Sequence, residues 1–498
     1  MRIGASSAVA CATALLAAAV QQTAALPSTQ LHFGQSRSKA TGGRLVVTFE
    51  FNGREQTNFA LDVLSVLGIS DIWHANSTAI VAAADATAWA ALDQQHAQHF
   101  GQIDLLRMTA APVDEYLRAE PGLTSSPDTV ADSAAAIANM RLRSRLQSID
   151  DSIHDHYHPY TAINQIIREM AEQFPAFAKV VLIGHSSEGR EILGLKVTNL
   201  TQPTVAFYEE SNGFVDSDGA HAWKRKKGNK KHMRKPGFVV IGGQHAREWI
   251  APATTLYLMH DLLLTTTSSH PSPLLNALEL TFVPVTNPDG YQFTWAPEGD
   301  RLWRKNRQPV GDNCFGVDLN KNWAYKWSPG SRPNPCSDAF PGAKAFEAPE
   351  LQAIRDYLLD TSNNVHAFLD LHSFGQMIMY PFSYSCDKSS PDEENHFEAV
   401  IGAAKALRAV HGKTFETGSV CEVSLTAPGD SIDWTYAAAK IRWSFAVELR
   451  GSVWAFLLPP DQIRPSGEEM SAALQSLANY VVQKEAGQRF DISQDFDR

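Results

Sequence analysis

The chain has 498 residues, and 43 Lys and Arg stand against 54 Asp and Glu, a formal net charge of −11. That acidic balance excludes the basic footprint of a nucleic-acid binder, so no nucleic acid is expected among its partners. A hydrophobic content of 44% with 19% charged residues excludes disorder throughout, and the length suits two or three domains.

In chain order, Arg2 precedes the apolar run Ala8 to Val20, and the small residues Thr23-Ala24-Ala25 follow. This is the layout of a secretory signal peptide over residues 1–25. The run is shorter than the ~20 residues that span a bilayer, and no later stretch reaches that length, so no membrane partner is expected. A secreted, extracellular or vacuolar location follows. Of the five cysteines, Cys11 leaves with the signal, and Cys314, Cys336, Cys386 and Cys421 remain. An even number in an exported chain favours disulfides. Four cysteines allow three connectivities, of which 314–336 and 386–421 close the shortest loops. Sequons at Asn76 and Asn199 fit N-glycosylation.

Residues 30–108 read as a small α+β module. Leu45 to Phe51 alternates as a strand and ends at the turn pair Asn52-Gly53. Phe59 to Leu67 fits a helix closed by Gly68, Thr78 to Ala83 a strand, Ala88 to Leu92 a helix, and Gly101 to Leu106 a closing strand. Residues 109–152 are punctuated by Pro112, Pro121, Gly122 and Pro127 and carry Arg141, Arg143 and Arg145. Such an exposed connector is a site for an activating endoprotease.

From His154 onward, strands alternate with long helices. Pro159 to Phe174 is amphipathic, and Lys179–Gly184, Phe238–Gly243, Leu280–Val285 and Val365–Leu371 are apolar runs typical of buried strands. They predict one α/β domain over 154–485, a mixed sheet with helices on both faces, and a tail at 486–498. The basic run Lys224 to Lys231 is expected as a solvated surface loop.

The chemistry gathers at strand ends. His245 and Glu248, three apart after Gly242-Gly243, can share a metal from one turn. His372, ending another apolar run, supplies a third ligand. Two His and one Glu form a catalytic zinc set that leaves a fourth position for water. Glu448 lies inside the apolar strand Phe445 to Leu449, where a buried carboxylate needs a partner or a job. The job is general base; the competing reading is an ion pair with Arg450 or another arginine. Arg301, Arg304, Asn320 and Lys321 add groups that recognise a carboxylate and polarise a carbonyl.

Together the motifs Gly243-Gln244-His245-Ala246-Arg247-Glu248-Trp249, Arg301-Leu302-Trp303-Arg304-Lys305, Leu371-His372-Ser373, Ser431-Ile432-Asp433-Trp434 and Glu448-Leu449-Arg450 resemble, in order, the zinc metallocarboxypeptidases of the pancreatic A/B family in zymogen form. Within it the chain is similar to fungal cell-wall-associated homologues that share its Arg-Leu-Trp-Arg-Lys-Asn-Arg string. The resemblance implies an α/β/α sandwich with a mixed eight-stranded sheet, preceded by a ferredoxin-like inhibitory or chaperone prodomain. It implies one zinc held by His245, Glu248 and His372, with Glu448 as base and Arg304 polarising the scissile carbonyl. Substrate contacts fall to Arg247, Arg301, Asn320, Lys321, Ser373, Phe374, Leu425 and Ile432, and the disulfides to 314–336 and 386–421.

The implied activity is a monomeric exopeptidase that acts on peptide and protein C-termini. Ile432, with the small Ala446 nearby, implies aromatic or aliphatic ends, against which Asp430 is the caution. Lys321 replaces a usual arginine, a point charge for a bidentate fork. Leu425 and Phe374 replace usual tyrosines. The fungal homologues are thought inactive because their catalytic glutamate is replaced, whereas Glu448 is present here. An inactive member acting in cell-wall organisation is therefore the alternative. A zinc endopeptidase is disfavoured because Arg247, Asn320 and Lys321 make sense as readers of a terminal carboxylate.

Overall fold

A computed structural model describes residues 44–51, 57, 60, 61, 64, 71–75, 79–85, 105–112, 151–202, 204–208, 230–266, 272–311, 313–330, 334–424, 426–451 and 455–488. The signal peptide, Asn76, the helix expected at 88–92, Arg141 to Arg145 and Leu425 lie outside them.

The N-terminal strands β1 (Arg44–Phe51), β2 (Asp71–Ala75), β3 (Ala79–Asp85) and β4 (Leu105–Pro112) form a sheet of order β2-β3-β1-β4. β1 pairs antiparallel with both neighbours, and buried Val47, Phe49, Ala60, Leu64, Ile80 and Ala82 supply its core. Two expectations need correction. The closing strand is displaced to 105–112 and ends at Pro112; proline lacks a backbone N–H, and an edge strand tolerates the missing donor. β2 was not foreseen, because it is short and its register with β3 slips between Ile72 and His74, which breaks the alternation.

The larger part is an eight-stranded mixed sheet. Its strands are β5 (Ala178–His185), β6 (Glu191–Val197), β9 (Gly237–Gly242), β10 (Glu279–Val283), β13 (Val365–Ser373), β14 (Met377–Tyr380), β15 (Glu416–Ser419) and β16 (Trp443–Leu449). Their order is β15-β14-β16-β13-β9-β10-β6-β5. β10, β9, β13 and β16 run parallel at the centre, and β5, β6 and β14 make the antiparallel pairings.

Alternation explains why the central strands read as unbroken apolar runs. Phe238 and Val240 enter one apolar cluster with Leu280, Phe282, Leu369, Leu371, Phe445 and Val447. Val239 and Ile241 enter another with Val283, Phe368 and Ala446. Successive side chains point to opposite faces, and both faces are covered. Helices α1 (Tyr160–Gln173), α2 (Ile250–Leu264), α6 (Glu393–His411) and α9 (Ile463–Gln488) pack on the first face. α5 (Pro349–Leu359) and α8 (Ser431–Ala437) pack on the second. The short helices α3 (Pro273–Ala277), α4 (Pro288–Trp295) and α7 (Val420–Val423) complete the set. This is the α/β/α sandwich.

Lys230 and Lys231 are not loop residues. They lie in β8 (Lys230–Arg234), which pairs with β7 (Thr204–Tyr208), while 224–229 fall outside the described residues. A small hairpin of β11 (Pro309–Gly311) and β12 (Cys314–Phe315) precedes the Asn320 segment. No described helix is long and apolar enough to cross a membrane.

Candidate active site

β9, β13 and β16 end side by side, and the site forms at their carboxyl ends. Gly243, with φ +65°, turns the chain out of β9 into the His245–Glu248 turn that leads to α2. Glu248 Oε1 lies 2.7 Å from His245 Nδ1, and its Oε2 lies 3.0 Å from His372 Nδ1. The two Nδ1 atoms are 3.2 Å apart. All three side chains are buried, and their ligand atoms lie within 4.8 Å of one another. The structure thus brings together the three predicted ligands.

Each imidazole turns its other nitrogen to a carboxylate. His245 Nε2 lies 3.1 Å from Asp318 Oδ1, and His372 Nε2 lies 3.0 Å from Asp370 Oδ2. An Nε2–H donated to these oxygens leaves the Nδ1 lone pairs facing each other. Arg304 is bound by the same Asp318 through Nε and Nη2, both at 3.1 Å. Burial works to raise the Asp318 carboxyl, but Arg304 and His245 outweigh it and hold it well below the usual carboxylate range.

Glu448 stands in register with His372 on the adjoining strand. Its Oε2 is shielded from solvent and has no hydrogen-bond partner. Arg450 is not its partner: that guanidinium is bidentate to Glu469, at 3.0 and 2.5 Å. Burial pushes the Glu448 carboxyl up to about 8; Glu248 and Asp370 add to the rise, while His372 and Arg304 oppose it. The converging Nδ1 atoms, the Glu248 carboxylate between them and the orphaned Glu448 oxygen fit a dication of zinc's ligand preference.

On the substrate side the outcome is mixed. Asn320 is in place, its Oδ1 accepting from Ser431 N at 3.0 Å and its Nδ2 3.4 Å from His372 Nε2. Lys321 is half-buried; desolvation lowers its ammonium pKa, and nearby Asp318 partly offsets this. Ser373 donates its N–H to Glu248 Oε2 at 3.2 Å, and its Oγ is buried without a partner. Arg301 is buried over the Trp249 ring at 3.7 Å and donates to the carbonyls of Arg247 and Phe456. Arg247 is also buried, within 3.3 Å of Asp338 Oδ2 and over the Phe456 ring.

Phe374 packs edge-on to Phe456 in a cluster with Leu302, Ala455 and Leu457 that takes in Val46, Val81 and Ala83 of the N-terminal sheet. Ile432 and Ala446 share the second core cluster. Asp430 caps α8 by accepting from Asp433 N at 3.0 Å. Burial, with Asp433 adding, carries its carboxyl well above the usual range.

Sequence reasoning missed Asp318, Asp370, Gln244 and Ser431. The first two could have been found by the logic applied to Glu448: each is a carboxylate two residues before a site residue, Asp370 inside an apolar strand.

Disulfides join Cys314 to Cys336 and Cys386 to Cys421. At the Asn199 sequon the side chain is buried and its amide nitrogen donates to Asn276 Oδ1 at 2.8 Å. A second acid–imidazole group, Asp151, His154 and His260, has another explanation. Arg464 binds Asp151 at 2.5 Å, and His154 and His260 hydrogen-bond at 3.0 Å.

A layered α/β/α sheet with a His-x-x-Glu pair, a second histidine and a glutamate on the adjoining strand is the architecture of the carboxypeptidase-like fold. The chain belongs to the zinc carboxypeptidase family, peptidase M14, whose profile matches residues 163–473. It is 32% identical over 357 residues to the "Inactive metallocarboxypeptidase ecm14" of Talaromyces marneffei, covering 67% of this chain and 56% of that protein. The chain thus spans about half the length of that relative. The protein of the same name in Schizosaccharomyces pombe is 33% identical, covering 73% of this chain and 70% of that one. A "Metallocarboxypeptidase A-like protein" of Trichophyton verrucosum is 34% identical over 66% and 71%. Among solved structures, carboxypeptidase A from Helicoverpa armigera superposes with a TM-score of 0.68 at 26% identity, covering 89% of this chain and 98% of that chain.

Proposed function

We propose that the chain is an exported metallocarboxypeptidase, made latent, that removes single residues with aromatic or aliphatic side chains from peptide C-termini. The observation that carries the reading is Glu448, in register with His372 and with a buried oxygen that no structural partner claims. Zinc, when held by His245, Glu248 and His372, supplies a Lewis acid.

The chain's own residues do the rest. Glu448 takes a proton from the attacking water as its oxygen bonds to the scissile carbonyl carbon. It returns that proton to the nitrogen as the C–N bond breaks. Arg304, fixed by Asp318, presents positive charge to the oxygen that turns anionic. Asn320 and Lys321 hold the terminal carboxylate, and apolar Ile432 and Ala446 favour an apolar end.

A second reading is a catalytically silent family member acting in fungal cell-wall organisation. The relatives named inactive metallocarboxypeptidases favour it over the active reading, and Lys321 weakens carboxylate capture. The retained Glu448 supports the first. Exposure of trypsin-treated, zinc-replete protein to matched peptides with free and amidated C-termini separates them. Release of single residues from the free peptide alone supports the exopeptidase; no release even at millimolar substrate hands the protein to the second reading.

Around this reading we also propose a signal peptide at 1–25, an inhibitory module at 30–108, an activation linker at 109–152 and a catalytic domain at 154–485. The protein would be a secreted monomer, and its partners would be peptide C-termini and an activating endoprotease. The disulfides fit an oxidising compartment.

A further inference from the structure

Asp370 is fully buried inside β13, two residues before His372. A single oxygen, Oδ2, meets three groups: His372 Nε2 at 3.0 Å, Gln244 Nε2 at 2.5 Å and Ser431 Oγ at 2.5 Å. Its Oδ1 is buried with no hydrogen-bond partner. Among the described residues, no lysine or arginine forms an ion pair with it. A carboxylate placed this way is costly unless a cation lies close by. That positive charge can lie only along the His372 ring, on the imidazole that Oδ2 meets or on a cation held by the converging Nδ1 pair on its far side.

We propose that Asp370 is a positioning residue that orients His372 for zinc and ties that ligand to the helix that carries Ile432; the inference rests on the zinc reading. The neutral imidazole carries one N–H. Donating it from Nε2 to Asp370 leaves the Nδ1 lone pair directed at Glu248 and His245. Negative charge behind the ring also makes that nitrogen a stronger donor to a metal.

Asp318 does the corresponding work for His245, but its other oxygen serves Arg304. Asp370 faces the opposite way. It holds Ser431, the first residue of α8, whose backbone N–H donates to Asn320 Oδ1 at 3.0 Å. One carboxylate thus links a metal ligand, a reader of the terminal carboxylate and the helix that carries Ile432.

The test measures zinc affinity by chelator competition, and the visible spectrum of the cobalt(II) form, for full-length wild type, Asp370→Asn and His245→Ala. The melting temperature of each zinc-free protein is the fold control. Asparagine fills the same volume and accepts from the same donors, so folding should persist. Loss of the charge should weaken zinc binding by about 10–100-fold and shift the cobalt bands. Should Asp370→Asn fail to fold, Asp370→Ser vacates the volume and carries the same expectation. Affinity within about threefold of wild type overturns the proposal, as does a lower melting temperature with unchanged affinity, which would mean packing alone. A wild type that holds no more zinc than His245→Ala overturns the metal reading first, and the wild-type titration identifies that case by itself.

Discussion

His372 and Glu448 face each other across parallel strands β13 and β16, so the proposed metal ligand and the proposed proton acceptor are set side by side by backbone register alone. A one-residue slip would send Glu448 to the opposite face of the sheet. Glu448→Gln keeps the shape and removes the proton acceptor. It should leave zinc content unchanged while lowering kcat by about 10²–10⁴-fold. Metal analysis beside single-residue release checks both halves, and turnover at the wild-type rate would remove Glu448 from the chemistry.

The ligand set predicts one zinc per chain. His245→Ala removes one of three ligand atoms and leaves Glu248 and His372 to face each other without it. Purified wild type should carry about one equivalent and the variant almost none. Equal zinc in the two proteins would refute the assignment.

How legible was this in the chain? The central strands were, because burial on both faces writes them as continuous apolar runs: Phe238–Gly243 and Val365–Leu371 fall within a residue or two of β9 and β13. The short strands β2, β14 and β15 were not, since four or five residues carry too little pattern. Within the site, residues at strand ends were legible because their chemistry is unusual for their surroundings. The packing of Arg301 was not legible, because a basic run looks the same whether its guanidinium is exposed or lies, as here, on the face of Trp249 against two carbonyls. Asp370 was passed over although it obeys the rule that exposed Glu448.

Lys321 bears on substrate capture. Its ammonium is held beside Asp318 and Arg304, where a guanidinium could offer two parallel donors to a carboxylate. A charged hydrogen bond is worth roughly 1.5–3 kcal/mol, so Lys321→Arg should raise kcat/KM by about tenfold or more. Carboxylate anchoring is shared by ground and transition states, so most of the gain should appear as lower KM. A gain confined to kcat would contradict this.

Acid should strain the segment that opens the large domain. Burial depresses His154 to about 3, with His260 adding, and burial depresses His158 to about 4, with His156 adding. Above an ordinary histidine pKa of about 6.5 neither the folded nor the unfolded chain holds these protons. Below it the unfolded chain takes them first, so this contribution to stability falls as pH drops towards 4, by at most about 1.4 kcal/mol per pH unit per histidine. Glu350, which burial raises to about 7, acts in the opposite sense, so the readout must be a difference. His158→Gln keeps a donor for the Ile153 carbonyl that His158 Nε2 meets at 2.7 Å. Urea unfolding at pH 7 and pH 5 should show the variant losing less stability than wild type between the two; parallel losses would mean that His158 does not titrate as described.

The proposed latency would rest on one apolar contact. Val46 and Val81, 3% and 8% exposed, lie on neighbouring strands of the N-terminal sheet and share a cluster with Leu302, Phe374 and Phe456. Leu302 is two residues from Arg304, and Phe374 two from His372. The sheet is therefore seated on chain segments that carry the site. Each valine contributes about 1.5–3 kcal/mol by burial, and a carboxylate in its place would have no partner in that cluster. Val46→Asp with Val81→Asp should loosen the contact without touching a site residue. The uncleaved double variant should then release C-terminal residues faster than uncleaved wild type and approach the rate of the trypsin-treated protein. Limited proteolysis and circular dichroism would show whether the large domain stays folded. If intact wild type, intact variant and cleaved protein all hydrolyse peptide at one rate, the N-terminal sheet rests on the cleft without closing it.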